Sequence, residues 1–469
     1  MPDWTLFTGI AIAFFDAAVA VHALTHKRDP RAALGWSAFC LFVPVAGGIA
    51  YLIFGMNRVQ NRARQERRRP LREPSAPAVA RDTVVQGPMA PLERLSNALQ
   101  PWPVLRGNRV DMLFGGEEAF PAMLNAIDDA RQRVYLSTYI FDAVHSGEAF
   151  IDALARARGR GADVRVLIDG IGEKYSWPRA RRRLADAGIP VRLFGPPTLF
   201  PPALHINLRN HRKILAVDGR IAFAGGMNIG DRQLLRQASG KPGSRDLHFR
   251  FDGPVATQLE TVFLNDWHEV TGDTAPPPSA VPDPWPDGAA CRTLTDGPDL
   301  DLDKLTHVLT GAVGQARRQV AIMTPYFLPP RELVGALIAA ALRGVMVDVL
   351  LPGKNNLPFV HWASRNGFWE LLQRGVRIWY QPPPFDHSKI MIVDDSYALV
   401  GSANLDPRSL RLNFELAVEI YGGGVITEAR RHVETALAES RPVTFEEIHG
   451  RSLPVHLRDA IAWLFSPYL

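Results

Sequence analysis

Beyond about residue 105 the chain alternates between two hydrophobic rhythms. VYLSTYIF (134–141) and VRVLID (164–169) are short runs rich in β-branched and aromatic residues, the pattern of buried strands. EAFIDALARARGRG and RRRLADAG carry apolar residues at helical spacing and end at glycine, the pattern of helices. VRLF and KILAVD continue the strands. The same order then returns, as VAIMTPYF (320–327), a helical stretch ending at Gly344, VDVLLP, FWELLQRGVRIWY and KIMIVD. Alternating strands and helices predict an α/β fold, with mostly parallel sheets covered by helices. The recurrence predicts two copies of one αβ unit, over 105–275 and 301–469, joined by a linker at 276–300. Two such copies are expected to pack about a pseudo-twofold axis that brings their equivalent loops together.

The first fifth of the chain has a different pattern. TLFTGIAIAFFDAAVAVHAL (5–24) and LGWSAFCLFVPVAGGIAYLIF (34–54) are each long enough to cross a hydrocarbon core of about 30 Å. Residues 1–58 are therefore expected to form a two-helix membrane anchor. The second segment carries no charge and is the stronger candidate span. The first contains Asp16 and His22, and a mid-span carboxylate costs at least about 2.5 kcal/mol on insertion scales. A cleavable signal peptide fits poorly, because no basic stretch opens the chain and the second apolar segment would remain. Arg58, Arg62, Arg64, Arg67, Arg68, Arg69 and Arg72 follow, which by the positive-inside rule places the rest of the chain on the cytoplasmic side. Residues 59–104 read as a basic, proline-rich linker, with 70–91 as a tether.

Composition narrows the chemistry only slightly. Of 469 residues, 46% are apolar and 22% charged, which fits a folded chain, and a net charge of +5 suits an anionic partner without choosing one. The two cysteines, Cys40 and Cys291, are far apart and outside any CxxC pair, which argues against a thiolate zinc site and a disulfide framework.

The chemistry lies in the repeat. HRKILAVDGRIAFAGGMN (211–228) and HSKIMIVDDSYALVGSAN (387–404) match in His, Lys, Asp, Gly and Asn at a constant offset of 176 residues. His and Lys two apart on a strand share a face. If the copies face each other, His211, Lys213 and Asn228 converge with His387, Lys389 and Asn404. Such a set suits phosphodiester transfer. One imidazole attacks phosphorus and the other moves the proton of the leaving or entering alcohol. The lysines and the amides of Asn228 and Asn404 hold the phosphate oxygens. Lysine supplies the positive charge, so the scheme calls for no metal and no cofactor. The pattern is symmetric and does not assign which histidine attacks.

These two stretches resemble the paired HKD signatures of the phospholipase D superfamily. The resemblance implies His211 as nucleophile, His387 as general acid and base, and Asp218 and Asp394 as mainly hydrogen-bonding members of the catalytic set with Lys213 and Lys389. It also implies that Asp246 (in SRDLHFRFDGP) and Glu415 (in LRLNFELAVEI) orient the imidazoles. Gly226 departs from the symmetry, because the second copy has Ser402 there. RDPRAALGWSAFCLFVPVAGGIAYLIFGMNR, RNHRKI, GGMNIGD and the C-terminal RDAIAWLFSPYL further resemble bacterial cardiolipin synthases. That family implies transfer of a phosphatidyl group from one phosphatidylglycerol to another through a phosphohistidine, at the bacterial inner membrane, with the catalytic part cytoplasmic. Water or another alcohol is the alternative acceptor. PPTLFPPAL (196–204) and LPFVHW (357–362) are candidate loops for limiting water, and the C-terminal stretch is expected to form an amphipathic helix at the membrane surface. A nuclease would need basic and aromatic tracts for a nucleic-acid backbone and no apolar spans, and a non-catalytic scaffold would usually have lost a His or Lys. Neither fits, and no nucleic-acid partner is expected.

Overall fold

The computed structural model describes residues 4–27, 29–55, 83–195, 208–237, 240, 242–274, 276–299 and 301–466. The arginine-rich stretch at 58–72 and the PPTLFPPAL loop lie outside them. The chain divides into two compact units, residues 1–66 and 67–469.

In the first unit, helix Trp4–His26 is, among the described residues, the one helix long and apolar enough to cross a membrane. The second apolar segment, expected to be the stronger span, is instead broken into Pro30–Phe42 and Ala46–Ala50, followed by a wide helical turn at Tyr51–Gly55. The cause is Pro44, which has no N–H to donate and disfavours helical geometry at Val43. The chain turns back closely enough that a Cβ on Gly47 would lie 2.3 Å from the Phe39 carbonyl oxygen. Asp16 is buried at this break, and its carboxylate accepts the Val45 N–H at 3.1 and 3.2 Å. The apparent defect of the first span thus serves a backbone donor left exposed by the break in the second.

The second unit is built on one sheet. Its strands are β1 (Leu105–Phe114), β2 (Arg133–Thr138), β3 (Asp163–Asp169), β4 (Val191–Phe194), β5 (Arg209–Asn210), β6 (Ile214–Val217), β7 (Ile221–Gly225), β8 (Leu247–Asp252), β9 (Ala289–Asp296), β10 (Gln319–Met323), β11 (Met346–Pro352), β12 (Arg377–Gln381), β13 (Ile390–Val393), β14 (Tyr397–Gly401), β15 (Asn413–Tyr421) and β16 (Arg441–Val443). Their order is β16-β12-β11-β10-β13-β14-β15-β9-β1-β8-β7-β6-β2-β3-β4, with β5 paired to β15. Apart from β16 the order is a palindrome, because β9 to β15 repeat β1 to β8 about the β9–β1 junction. The duplication legible in the sequence is therefore a pseudo-twofold relation in space.

The sheet is mixed rather than mostly parallel. Within its main order, parallel pairing is confined to β2–β3–β4 and β10–β11–β12. The other neighbours run antiparallel because the repeated motif is itself a hairpin. In the first copy β6 turns into β7 through Asp218 (φ 52°) and Gly219 (φ 63°), and Asp-Gly between apolar runs is a strong hairpin signal.

The expected linkers also contain structure. Helix Ala90–Leu99 lies within 59–104, and its Leu92 belongs to the core of the second half. β9 lies within 276–300, at the middle of the sheet. Its buried Arg292, Thr293, Thr295 and Asp296 hide it from a reading by apolar pattern. Arg292 is fully buried and donates to Glu419 at 2.7 Å and Asn97 at 2.6 Å. One hydrophobic cluster joins the halves, with Phe249, Phe251 and Leu259 from the first and Ile390, Val400 and Val418 from the second.

Candidate active site

Each histidine is delivered by a short extended segment strapped onto the opposite half. β5 pairs in parallel with Asn413 and Phe414 of β15, and the His211 N–H donates to the Phe414 carbonyl at 2.9 Å. The equivalent bridge joins Asp386 to Arg245, and the His387 N–H donates to the Arg245 carbonyl at 2.7 Å. The two motifs therefore meet through exchanged backbone bonds.

The carboxylates are exchanged in the same way. Both oxygens of Glu415, in the second half, lie 3.0 Å from Nδ1 of His211, in the first. Asp246 Oδ2, in the first half, lies 2.9 Å from Nδ1 of His387, in the second. A carboxylate on Nδ1 leaves Nε2 as the reactive nitrogen. The imidazoles keep 13% and 18% of their side-chain exposure while both carboxylates have none, so the rings can be reached and their partners cannot.

The exchange is not symmetric. Glu415 also accepts from Ser402 Oγ at 2.5 Å and Asn413 Nδ2 at 3.0 Å. Burial pushes Glu415 up, but His211, Lys213 and Ser402 outweigh it and hold its carboxyl at about 2. Asp246 has fewer partners, with the Leu247 N–H at 2.9 Å beside His387. Gly226 replaces Ser402 because a Cβ there would stand 2.4 Å from Asp246 Oδ1.

Lys213 and Lys389 are buried, and each donates to the carbonyl of its own histidine, at 2.7 and 2.5 Å. Burial pulls Lys213 down to about 7 and Lys389 to about 8, against the carboxylates Glu415 and Asp246. Burial also pulls both imidazoles down, His387 to about 4 with Lys389 adding to the effect.

Asp218 and Asp394 do not join this cluster. Asp218 accepts the N–H groups of Arg131, Gln132 and Arg133 at 2.7–2.8 Å. Asp394 does the same for Arg317, Arg318 and Gln319 at 2.8–3.0 Å. Both stand at the far end of the histidine-bearing hairpins and tie them to the start of β2 and β10. Among the described residues their partners are these backbone N–H groups and not the catalytic side chains. Asn228 Oδ1 accepts the Ile140 N–H at 3.0 Å, whereas the buried Asn404 Oδ1 has no hydrogen-bond partner among the described residues.

Several residues near the histidines were not read from the sequence. The Tyr139 ring stands edge-on to His211 at 5.1 Å, with Lys213 Nζ 5.6 Å from its centre. Arg209 donates to the Tyr139 hydroxyl at 3.0 Å. At the 176-residue offset Arg209 corresponds to Phe385, whose ring is 6.0 Å from that of His387. The position two residues before each histidine is thus cationic in the first copy and aromatic in the second, a difference visible in the aligned repeats. Among the described residues no group of His, Cys, Asp and Glu side chains is arranged to hold a metal ion.

Comparison with known proteins bears on this geometry. The family described as "Cardiolipin synthase, PLD-like domain" matches residues 123–267 and 309–437, and "Phospholipase_D-nuclease N-terminal" matches 14–55. The chain is 31% identical to the major cardiolipin synthase of Bacillus subtilis, over 94% of this chain and 95% of that one. It is 33% identical to a cardiolipin synthase A of Pseudomonas putida, over 96% and 95%. Among solved structures it is similar in fold to a phosphatidylserine synthase of Haemophilus influenzae, with TM-score 0.61, 16% identity, and coverage of 81% of this chain and 100% of that one.

Proposed function

The chain belongs to the cardiolipin synthase family, whose phospholipase D-like domain it carries twice, and from that membership we propose that it joins two phosphatidylglycerol molecules into cardiolipin and glycerol. It is a phosphatidyltransferase. The observation that carries the mechanism is the exchange of carboxylates, Glu415 to His211 and Asp246 to His387, which makes one site from two motifs.

His211 Nε2 attacks the phosphorus of the first phosphatidylglycerol. The bond from phosphorus to the glycerol oxygen breaks, and protonated His387 gives its proton to that oxygen. Glycerol leaves, and the phosphatidyl group remains on His211. His387, now neutral, takes the proton from the terminal hydroxyl of a second phosphatidylglycerol. That oxygen attacks phosphorus, the phosphorus–nitrogen bond breaks, and cardiolipin is released. Burial keeps His387 largely neutral until an anion approaches. The arriving phosphodiester anion favours its protonation, so the acid forms where it is needed. The same anion restores charge to Lys213 and Lys389, which hold the non-bridging oxygens together with the amides of Asn228 and Asn404. Glu415 stabilises the positive imidazole of the intermediate.

The finer assignment of place is the bacterial inner membrane with the catalytic unit cytoplasmic, supported by the arginines at 58–72. The test is mass spectrometry of the lipids formed when purified, detergent-solubilised protein receives phosphatidylglycerol alone. Cardiolipin and glycerol, absent with His211→Ala, are expected. Phosphatidic acid without cardiolipin would make water the acceptor and the protein a hydrolase.

A further inference from the structure

The C-terminal helix Leu453–Leu464 is docked inside out. A surface helix of a soluble domain normally buries its apolar stripe and exposes its charges. Here Asp459 and Ala462 are fully buried, and Asp459 is ringed by Arg365, Arg451 and Arg458. The stripe on the other side, Leu453, Leu457, Ile461 and Leu464, is exposed at 80, 59, 46 and 67%. Phe465 extends it and meets the exposed Phe359 at 5.8 Å, beside Leu357. The buried face is held by the ion pairs of Asp459 and by the small Ala462, so packing within the chain does not account for the apolar stripe opposite.

The stripe leads to the catalytic site. Ala462 packs with Leu328, Val360 and Ala363, and Tyr326 lies against that cluster. The Tyr326 ring is 6.5 Å from Phe385, which is 6.0 Å from His387. The first half has a counterpart at the equivalent loop. After β3 the chain exposes Tyr175 (54%) and Trp177 (81%), and Tyr175 is 6.2 Å from Tyr139, the neighbour of His211. Both loops follow the carboxyl ends of parallel strands, the end of the sheet from which β6 and β13 begin. Apolar groups therefore flank both sides of the same opening. Exposed Lys174 and Arg181 stand on one side and Lys354 on the other, a charge suited to anionic head groups.

We propose that these two rims seat the opening of the catalytic site on a bilayer surface containing anionic lipid, so that a lipid phosphodiester reaches the histidines without leaving the membrane. The inference deepens the function proposed above and rests on it for the nature of the substrate. Interfacial Trp, Phe and Leu beside basic side chains are the composition expected of such a surface.

The test uses the full-length protein in nanodiscs. A fluorophore is attached at Trp177→Cys, at Leu457→Cys, or at Arg220→Cys on the opposite end of the sheet. Native Cys40 and Cys291 are both buried. Quenching by brominated phosphatidylglycerol at the first two sites and not at the third is expected. Equal quenching at all three, or none at the first two, would overturn the proposal. So would self-association of the protein that covers the first two sites from lipid. In parallel, Leu457→Ser/Leu464→Ser and Trp177→Ser are assayed on two substrates. Cardiolipin formation from bilayer phosphatidylglycerol should fall about tenfold, as expected for lost burial of apolar side chains, with unchanged formation from dispersed short-chain lipid. Equal rates on both substrates would count against docking. A wild-type protein that makes no cardiolipin from either would sink the proposed function, while the quenching still decides the docking.

Discussion

His387 Nδ1 lies 2.9 Å from the Asp246 carboxylate, 141 residues earlier in the chain and in the other half of the molecule. With the reciprocal contact of Glu415 and His211, this makes each half dependent on the other for an oriented imidazole. Asp246→Asn should therefore lower kcat by about a hundredfold, within the range of general acid–base catalysis, through a histidine outside its own repeat. The variant should keep the wild-type thermal transition. A kcat within a few-fold of wild type would show that Asp246 does not position His387.

The Gly226/Ser402 asymmetry predicts unequal effects of exchanging these residues. Ser402→Gly removes one donor from Glu415, which retains His211 and Asn413, so activity should fall modestly, by about tenfold, for one charge-assisted hydrogen bond. Gly226→Ser forces a Cβ to within 2.4 Å of Asp246 Oδ1, and should cost more. Steady-state rates of the two purified variants check this. The reverse order would contradict the assigned packing.

Asp218 and Asp394 each satisfy three backbone N–H groups. Alanine at either position leaves those donors to whatever water can reach, a loss of about 2–4 kcal/mol. The expected result is a thermal transition lowered by several degrees with near-normal kcat in the protein that remains folded. A large kcat loss at unchanged Tm would return these residues to the catalytic set.

The lysines predict a pH dependence. Burial pulls Lys213 down to about 7 and Lys389 to about 8. The charged forms that bind phosphate are therefore present below this range and are lost as pH rises through it. KM for phosphatidylglycerol should increase between pH 7 and 9, with a smaller change in kcat because bound anion keeps the lysines protonated. A KM that stays flat to pH 9 would contradict the role given to them.

Much of this site was legible before the fold was known, for identifiable reasons. His211, Lys213, His387 and Lys389 repeat at one offset, and chemistry that needs two imidazoles explains that duplication. Asp246 and Glu415 are reached through the resemblance to the superfamily's signatures, not through the 176-residue offset, which they do not share. Their crossing could not be read, because it depends on how the halves dock. The antiparallel part of the sheet had a signal in Asp218-Gly219 that the α/β rhythm obscured. β9 was hidden by buried polar residues such as Arg292, whose partners Asn97 and Glu419 come from distant segments. The break at Pro44 was visible as a proline, but its link to Asp16 was not, since only the folded-back chain brings the Val45 N–H to that carboxylate.

The central claim is that the two halves form one site in which His211 carries the phosphatidyl group and His387 moves the proton. A phosphatidyl ester with a p-nitrophenyl leaving group needs no acid for its departure, so in His387→Ala the His211 imidazole should still displace p-nitrophenolate from phosphorus, take up the phosphatidyl group and then stall. Peptide mass spectrometry after rapid quenching reads this directly. The account predicts a phosphatidyl adduct on the peptide containing His211, absent from His211→Ala. An adduct on His387 in the wild-type protein, or steady turnover with no histidine adduct, would contradict it.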